Sequence, residues 1–144
     1  MATRSTISME QPDGRIMTIY CHWDGYLDNN GRILVKHYRD RARVLALMLL
    51  GDLSQLGQEI GQSQDFDAPA NRNWCVAYGR DRGETGTEAR VYADMQDYLT
   101  NTPFEEYNYI FRLDDAWYVD FDSGDGDFTT VEAALKRVVD TNEL

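Results

Sequence analysis

Apolar and polar residues alternate with a period of two over residues 3–9 and 15–23, and the two runs flank Gln11-Pro12-Asp13-Gly14. Proline presets φ and glycine accepts a positive φ, so the spacing predicts a β-hairpin over about residues 3–23. In its second strand Ile16, Thr18, Tyr20 and His22 fall on one face and Met17, Ile19, Cys21 and Trp23 on the other. The second set is the more apolar, which places Cys21 and Trp23 toward the core and His22 opposite. Residues 106–113 and 117–121 alternate in the same way around Asp114-Asp115. They predict a second hairpin over about 106–121, with Tyr107, Tyr109 and Phe111 sharing a face. Residues 74–78 read as a further, central strand and residues 88–92 as a short one.

Elsewhere the period lengthens to that of a helix. Asp40 is placed to cap a helix over 41–50 that Gly51 ends. Residues 44–50 are apolar on every face, which predicts a buried helix wrapped by other structure. Short helices are expected over 32–37 and 94–99, and residues 51–57 and 58–73 read as a tight connection and a polar surface loop. Thr129-Thr130-Val131-Glu132 carries a capping-box pattern, and Val131, Leu135, Val138 and Val139 give the helix over 130–140 an apolar face. Strands, helices, strands and a final helix in that order predict one α+β domain over residues 1–144 with a mainly antiparallel sheet.

Composition narrows the function classes. A chain of 144 residues with 42% apolar content is long enough to bury a core without a staple. The net charge is −11, split as +2 over residues 1–50 and −13 over 51–144. Such a balance argues against binding a nucleic-acid backbone, which needs Lys and Arg to replace counterions. Cys21 and Cys75 are too few and too far apart for a disulfide framework or a paired zinc site, so both are expected as reduced thiols. The longest apolar run, 44–50, falls short of the about 20 residues of a membrane span, and the N-terminus has no apolar leader. A cytoplasmic protein without membrane contact is the expectation.

Chemistry is densest in Tyr20-Cys21-His22-Trp23-Asp24-Gly25-Tyr26. A thiol, an imidazole and a carboxylate invite a nucleophile reading, but strand alternation sends Cys21 and His22 to opposite faces, so no catalytic residue is assigned. With only His22 and His37 as imidazoles, no metal site or cofactor is assigned. The acidic run from Asp120 to Asp127 fails the EF-hand pattern, having Asp125 where glycine is required and Val131 where a bidentate acid is required. Arg32, Lys36, Arg39 and Arg43 would form one basic stripe on a continuous helix, or two patches if Asp40 breaks it. Arg80 and Arg82, read as lying on a turn after the 74–78 strand between Gly79 and Gly83, carry groups suited to phosphate or carboxylate. Pairing with the many nearby acids is the competing role for both.

Ala2-Thr3-Arg4-Ser5-Thr6-Ile7, the Tyr20–Tyr26 stretch, Leu50-Gly51-Asp52-Leu53-Ser54 and Tyr78-Gly79-Arg80-Asp81-Arg82-Gly83-Glu84 together resemble small accessory proteins of tailed bacteriophages and prophages. Glu105-Glu106-Tyr107 and Trp117-Tyr118-Val119 extend the likeness. The resemblance implies a viral origin and a host-cytoplasm setting and leaves the mechanism open. In that setting the leading expectation is a non-enzymatic anti-defence protein that sequesters a nucleotide-type signal. Tyr20, His22, Trp23 and Tyr26 would stack on a base, with Arg80 and Arg82 on phosphates. The alternative is an acidic inhibitor whose Glu105, Glu106, Asp120, Asp122, Asp125 and Asp127 occupy a basic groove of a host defence protein. The oligomeric state is left open.

Overall fold

The computed structural model describes residues 2–121 and 127–142, with side chains described as far as Arg137. Its centre is the first hairpin, β1 (Ser5–Glu10) and β2 (Ile16–Cys21), paired antiparallel with Thr6 opposite Tyr20 and Ser8 opposite Thr18. The turn residue Gly14 takes φ +92°, as the Pro-Asp-Gly sequence requires. On the far side of β1 lies β6 (Tyr107–Phe111), parallel to it, and β6 forms the second hairpin with β7 (Trp117–Asp120).

Helices α1 (Arg32–His37), α2 (Arg41–Leu50) and α3 (Tyr78–Arg82) follow the first hairpin. Strands β3 (Leu53–Gln55), β4 (Val76–Ala77) and β5 (Arg90–Tyr92) extend the sheet. Helix α4 (Met95–Asn101) precedes β6, and β8 (Thr129–Thr130) leads into α5 (Val131–Asn142). The sheet order is β4-β3-β2-β1-β6-β7-β8, with β5 also on β2. Apart from the β1–β6 and β2–β3 pairs, the pairings of these strands among the described residues are antiparallel. This is an α+β fold.

The two faces of the sheet differ in kind. Ile7, Met9, Ile19, Cys21, Tyr109 and Phe111 point to one side, where they pack with Leu34, Tyr38, Val44, Leu47 and Met48 and with Val131 of α5. Each such aliphatic side chain contributes about 1.5–3 kcal/mol relative to exposure. The other side carries the buried polar residues Thr6, Ser8, Thr18 and Asn108, and a small apolar cluster of Ile16, Ile110 and Tyr98 from α4.

Four expectations are corrected. Helix α2 is not wrapped: Val44, Leu47 and Met48 are buried, but Leu49 is 73% exposed and Leu45 is also exposed, because one face alone reaches the sheet. The strand near 74–78 is the two-residue β4 at the end of the sheet, not its centre, since β1 and β6 take the middle. Trp23 is 42% exposed instead of facing the core. Alternation stops where β2 ends, for the successive N–H groups of His22 and Trp23 both donate to the neighbouring segment, at Leu53 and Ser54 carbonyls. Arg80 and Arg82 lie in α3, which Gly83 closes at φ +76°, and not in an open turn.

The break at Asp40 is real: its carboxylate accepts from the Arg43 N–H at 2.8 Å, so Arg32 and Lys36 fall on α1, Arg43 on α2 and Arg39 on the link between them.

Candidate functional site

On the polar face of the sheet, beside the end of α4, lies a half-open cavity of about 210 Å³. Its floor is cross-strand: Thr6 opposite Tyr20, and Thr18 between Ser8 on β1 and Arg90 on β5. Tyr92 closes one side, and Thr102, Pro103 and Glu105 wall the other. Strand alternation built this floor, since positions 6, 18, 20 and 90 all face away from the helix-covered core.

Asp52 ties the floor to its flank. Its carboxylate accepts from the Tyr20 N–H at 2.9 Å and takes the Arg90 guanidinium in a fork, at 2.6 Å from Nη1 and 3.0 Å from Nη2. The hydrogen bonds to Asp52 raise the pKa of Arg90 further, so its charge is permanent. Gly51, beside it, takes φ +84°, and a Cβ there would lie 2.5 Å from the Thr87 carbonyl. Only glycine lets the segment leading to β5 approach this closely.

Tyr20 is the one aromatic of the expected ligand set that lines the cavity. Burial raises the pKa of its phenol, Arg4 counters the rise and Glu105 adds to it. Its hydroxyl is 2.7 Å from His22 Nδ1, and the His22 ring meets Trp23 edge-on at 4.7 Å. These three therefore come together. Tyr26 is 40% exposed at the head of the turn Leu27–Gly31.

Arg80 is turned inward. Its guanidinium donates to the Ile60 and Cys75 carbonyls at 2.8 and 2.7 Å and to both Asp81 oxygens. Burial works to raise the pKa of Asp81, but donation from Arg80 and from the Ala77 and Gln64 N–H groups holds it below the ordinary carboxylate value. Arg82 lies over the Phe66 ring at 4.9 Å and 3.5 Å from Glu84. Pairing with nearby acids, the competing role read from the sequence, is what both arginines do here.

Of the acidic set, Glu105 lines the cavity, and Glu106 and Asp127 are exposed. Asp120 is buried, which corrects its expected place on a partner surface: it faces the interior from β7 opposite Asn108. Asp122 and Asp125 lie outside the described residues.

Cys21 is fully buried, and burial pushes its thiol pKa up to about 12. Burial raises that of Cys75 as well. No group of three or more His, Cys, Asp or Glu among the described residues is placed to hold a metal ion.

The sequence reading missed Asp52, Arg90 and the three threonines. The signal for the floor was present, since Thr6 and Ser8 alternate against Ile7 and Met9 as Thr18 and Tyr20 do against Ile19 and Cys21.

The class defined by this architecture is an α+β protein with a cavity of mixed polar and apolar lining on the open face of its sheet. Compared with models of protein families, with curated proteins and with solved structures, the chain finds no match. No helix among the described residues is long and apolar enough to cross a membrane.

Proposed function

We propose that this chain is a non-enzymatic binding protein that captures a small ligand in the Tyr20–Asp52–Arg90–Glu105 cavity. The observation that carries the reading is the Asp52–Arg90 fork, which fixes the cavity floor against β5 before any ligand arrives. Aromatic walls with a few convergent polar groups are the ordinary make-up of a ligand pocket, although about 210 Å³ suits the head of a ligand better than a whole nucleotide. The described thiols are buried with raised pKa values, which favours binding over thiol catalysis.

The resemblance to phage accessory proteins supplies the setting, in which capture would remove a signal made by the host as an anti-defence measure. A nucleotide-type signal would place its base in the cavity and could not rely on Arg80 for its phosphates.

Thermal unfolding of the full chain against nucleosides, linear and cyclic nucleotides, amino acids and polyamines tests the proposal. At least one class is expected to raise the midpoint; a ligand at one hundred times its Kd adds about 2.7 kcal/mol. Pro103→Trp, which fills the cavity from an exposed wall position, should abolish that gain. No shift with any class would retire the reading.

A further inference from the structure

We infer that the cavity receives a positively charged, N–H-rich group, an amine or guanidinium, and not a phosphate. The inference deepens the ligand-capture reading and rests on it.

The hydrogen-bond directions around the cavity carry it. The Thr6 hydroxyl donates its single proton to Asn108 Oδ1 at 2.9 Å, and the Thr102 hydroxyl donates its own to the Tyr98 carbonyl. Both oxygens can therefore offer a ligand only lone pairs. Thr18 is closed into a hydroxyl pair with Ser8 at 2.8 Å. With His22 Nδ1 as acceptor, the Tyr20 proton is spent too, leaving its oxygen to accept.

Glu105 supplies the charge. Its backbone is clamped by the buried Asn108 amide, which accepts from the Glu105 N–H at 2.9 Å and donates to the Glu105 carbonyl at 2.9 Å. The same Asn108 Oδ1 takes the Thr6 proton, so one buried side chain sets both a floor acceptor and the acidic wall. The Glu105 carboxylate itself has no ion pair or hydrogen bond among the described residues, while the backbone carrying it is held firmly.

The one cation in the lining does not reverse the sign. Both Nη atoms of Arg90 are committed to Asp52, whose charge cancels it, so Glu105 leaves the lining with a formal net charge of −1. Arg4, outside the lining, is a positive group close enough to act on Tyr20, where Glu105 opposes it. A phosphate would meet Glu105 and a row of acceptor oxygens with few free donors. An ammonium or guanidinium meets acceptors, one unpaired carboxylate and the Tyr20 and Tyr92 rings, whose faces attract cations.

Isothermal titration of the full chain at low ionic strength, with agmatine against adenosine monophosphate and inorganic phosphate, tests this. Agmatine is expected to bind at one site, with neither anion competing. Glu105→Gln should weaken agmatine binding about tenfold or more, the loss of one charge-assisted contact, at an unchanged unfolding midpoint. If an anion binds and Glu105→Gln tightens it, the inference is overturned while ligand capture stands. Agmatine binding that Glu105→Gln leaves untouched overturns it as well. If no ligand of the wider thermal panel binds either, both fall together.

Discussion

Replacing Asp52 with alanine is expected to lower the stability of the chain by about 3 kcal/mol and to release β5 from β2. Two contributions add. The Tyr20 N–H, which donates to Asp52 Oδ1, would be left without its acceptor at a cost of about 1–3 kcal/mol. The ion pair with Arg90 contributes less than its forked geometry suggests, because the arginine side chain is nearly half exposed, and about 1 kcal/mol is reasonable. Asp52→Asn retains an oxygen for the Tyr20 N–H and loses the charge, so it should fall between wild type and Asp52→Ala. Urea unfolding measures the total, and amide exchange at residues 90–92 reports the release of the strand. A total loss under about 1 kcal/mol would mean that Asp52 does not organise the site.

Leu47→Ala should cost about 2–5 kcal/mol, whereas Leu49→Ala, two positions along the same helix, should change stability by less than about 0.5 kcal/mol. Leu47 is fully buried between α2 and the sheet, and its truncation leaves a cavity that close-packed neighbours cannot fill. Leu49 points to solvent. Paired chemical-denaturation curves decide the matter, and equal losses would show that α2 is enclosed on both faces, as its apolar sequence suggests.

That contrast illustrates what local pattern can and cannot convey. Both hairpins, the Asp40 cap and the helices over 41–50 and from 131 onward are legible because each depends on neighbours in sequence: a turn glycine, a capping oxygen, a two- or four-residue period. The burial of α2 depends on which elements reach it, and an all-apolar surface carries no record of that.

The parallel pairing of β1 with β6 joins residues about a hundred positions apart and has no local signature. It is also what brings Asn108 beside Thr6 and so fixes Glu105 at the cavity wall. Asp52 and Arg90 were hidden for the same reason, being 38 residues apart and joined only in space. Arg80 misled in the opposite sense. Its place on a glycine-flanked turn suggested a group suited to phosphate or carboxylate, yet Ile60, Cys75 and Asp81 take up the guanidinium from inside the fold.

The polar face of the sheet gives these long-range contacts a common purpose. Thr6, Thr18, Tyr20 and Arg90 would be costly choices for a surface meant only to pack, since every buried hydroxyl needs a partner. Thr6, Thr18 and Tyr20 have theirs, while the buried Tyr98 hydroxyl on the same face has none among the described residues, and the cavity remains.

Amide-shift mapping of the isotopically labelled chain, titrated with whichever compound gives the largest thermal shift, tests ligand capture most directly. The proposal predicts perturbations concentrated at Thr18 and Tyr20, at Arg90 and Tyr92 and from Thr102 to Glu105. Perturbations confined to Trp23, Tyr26 and Arg82, or none at all, would contradict it.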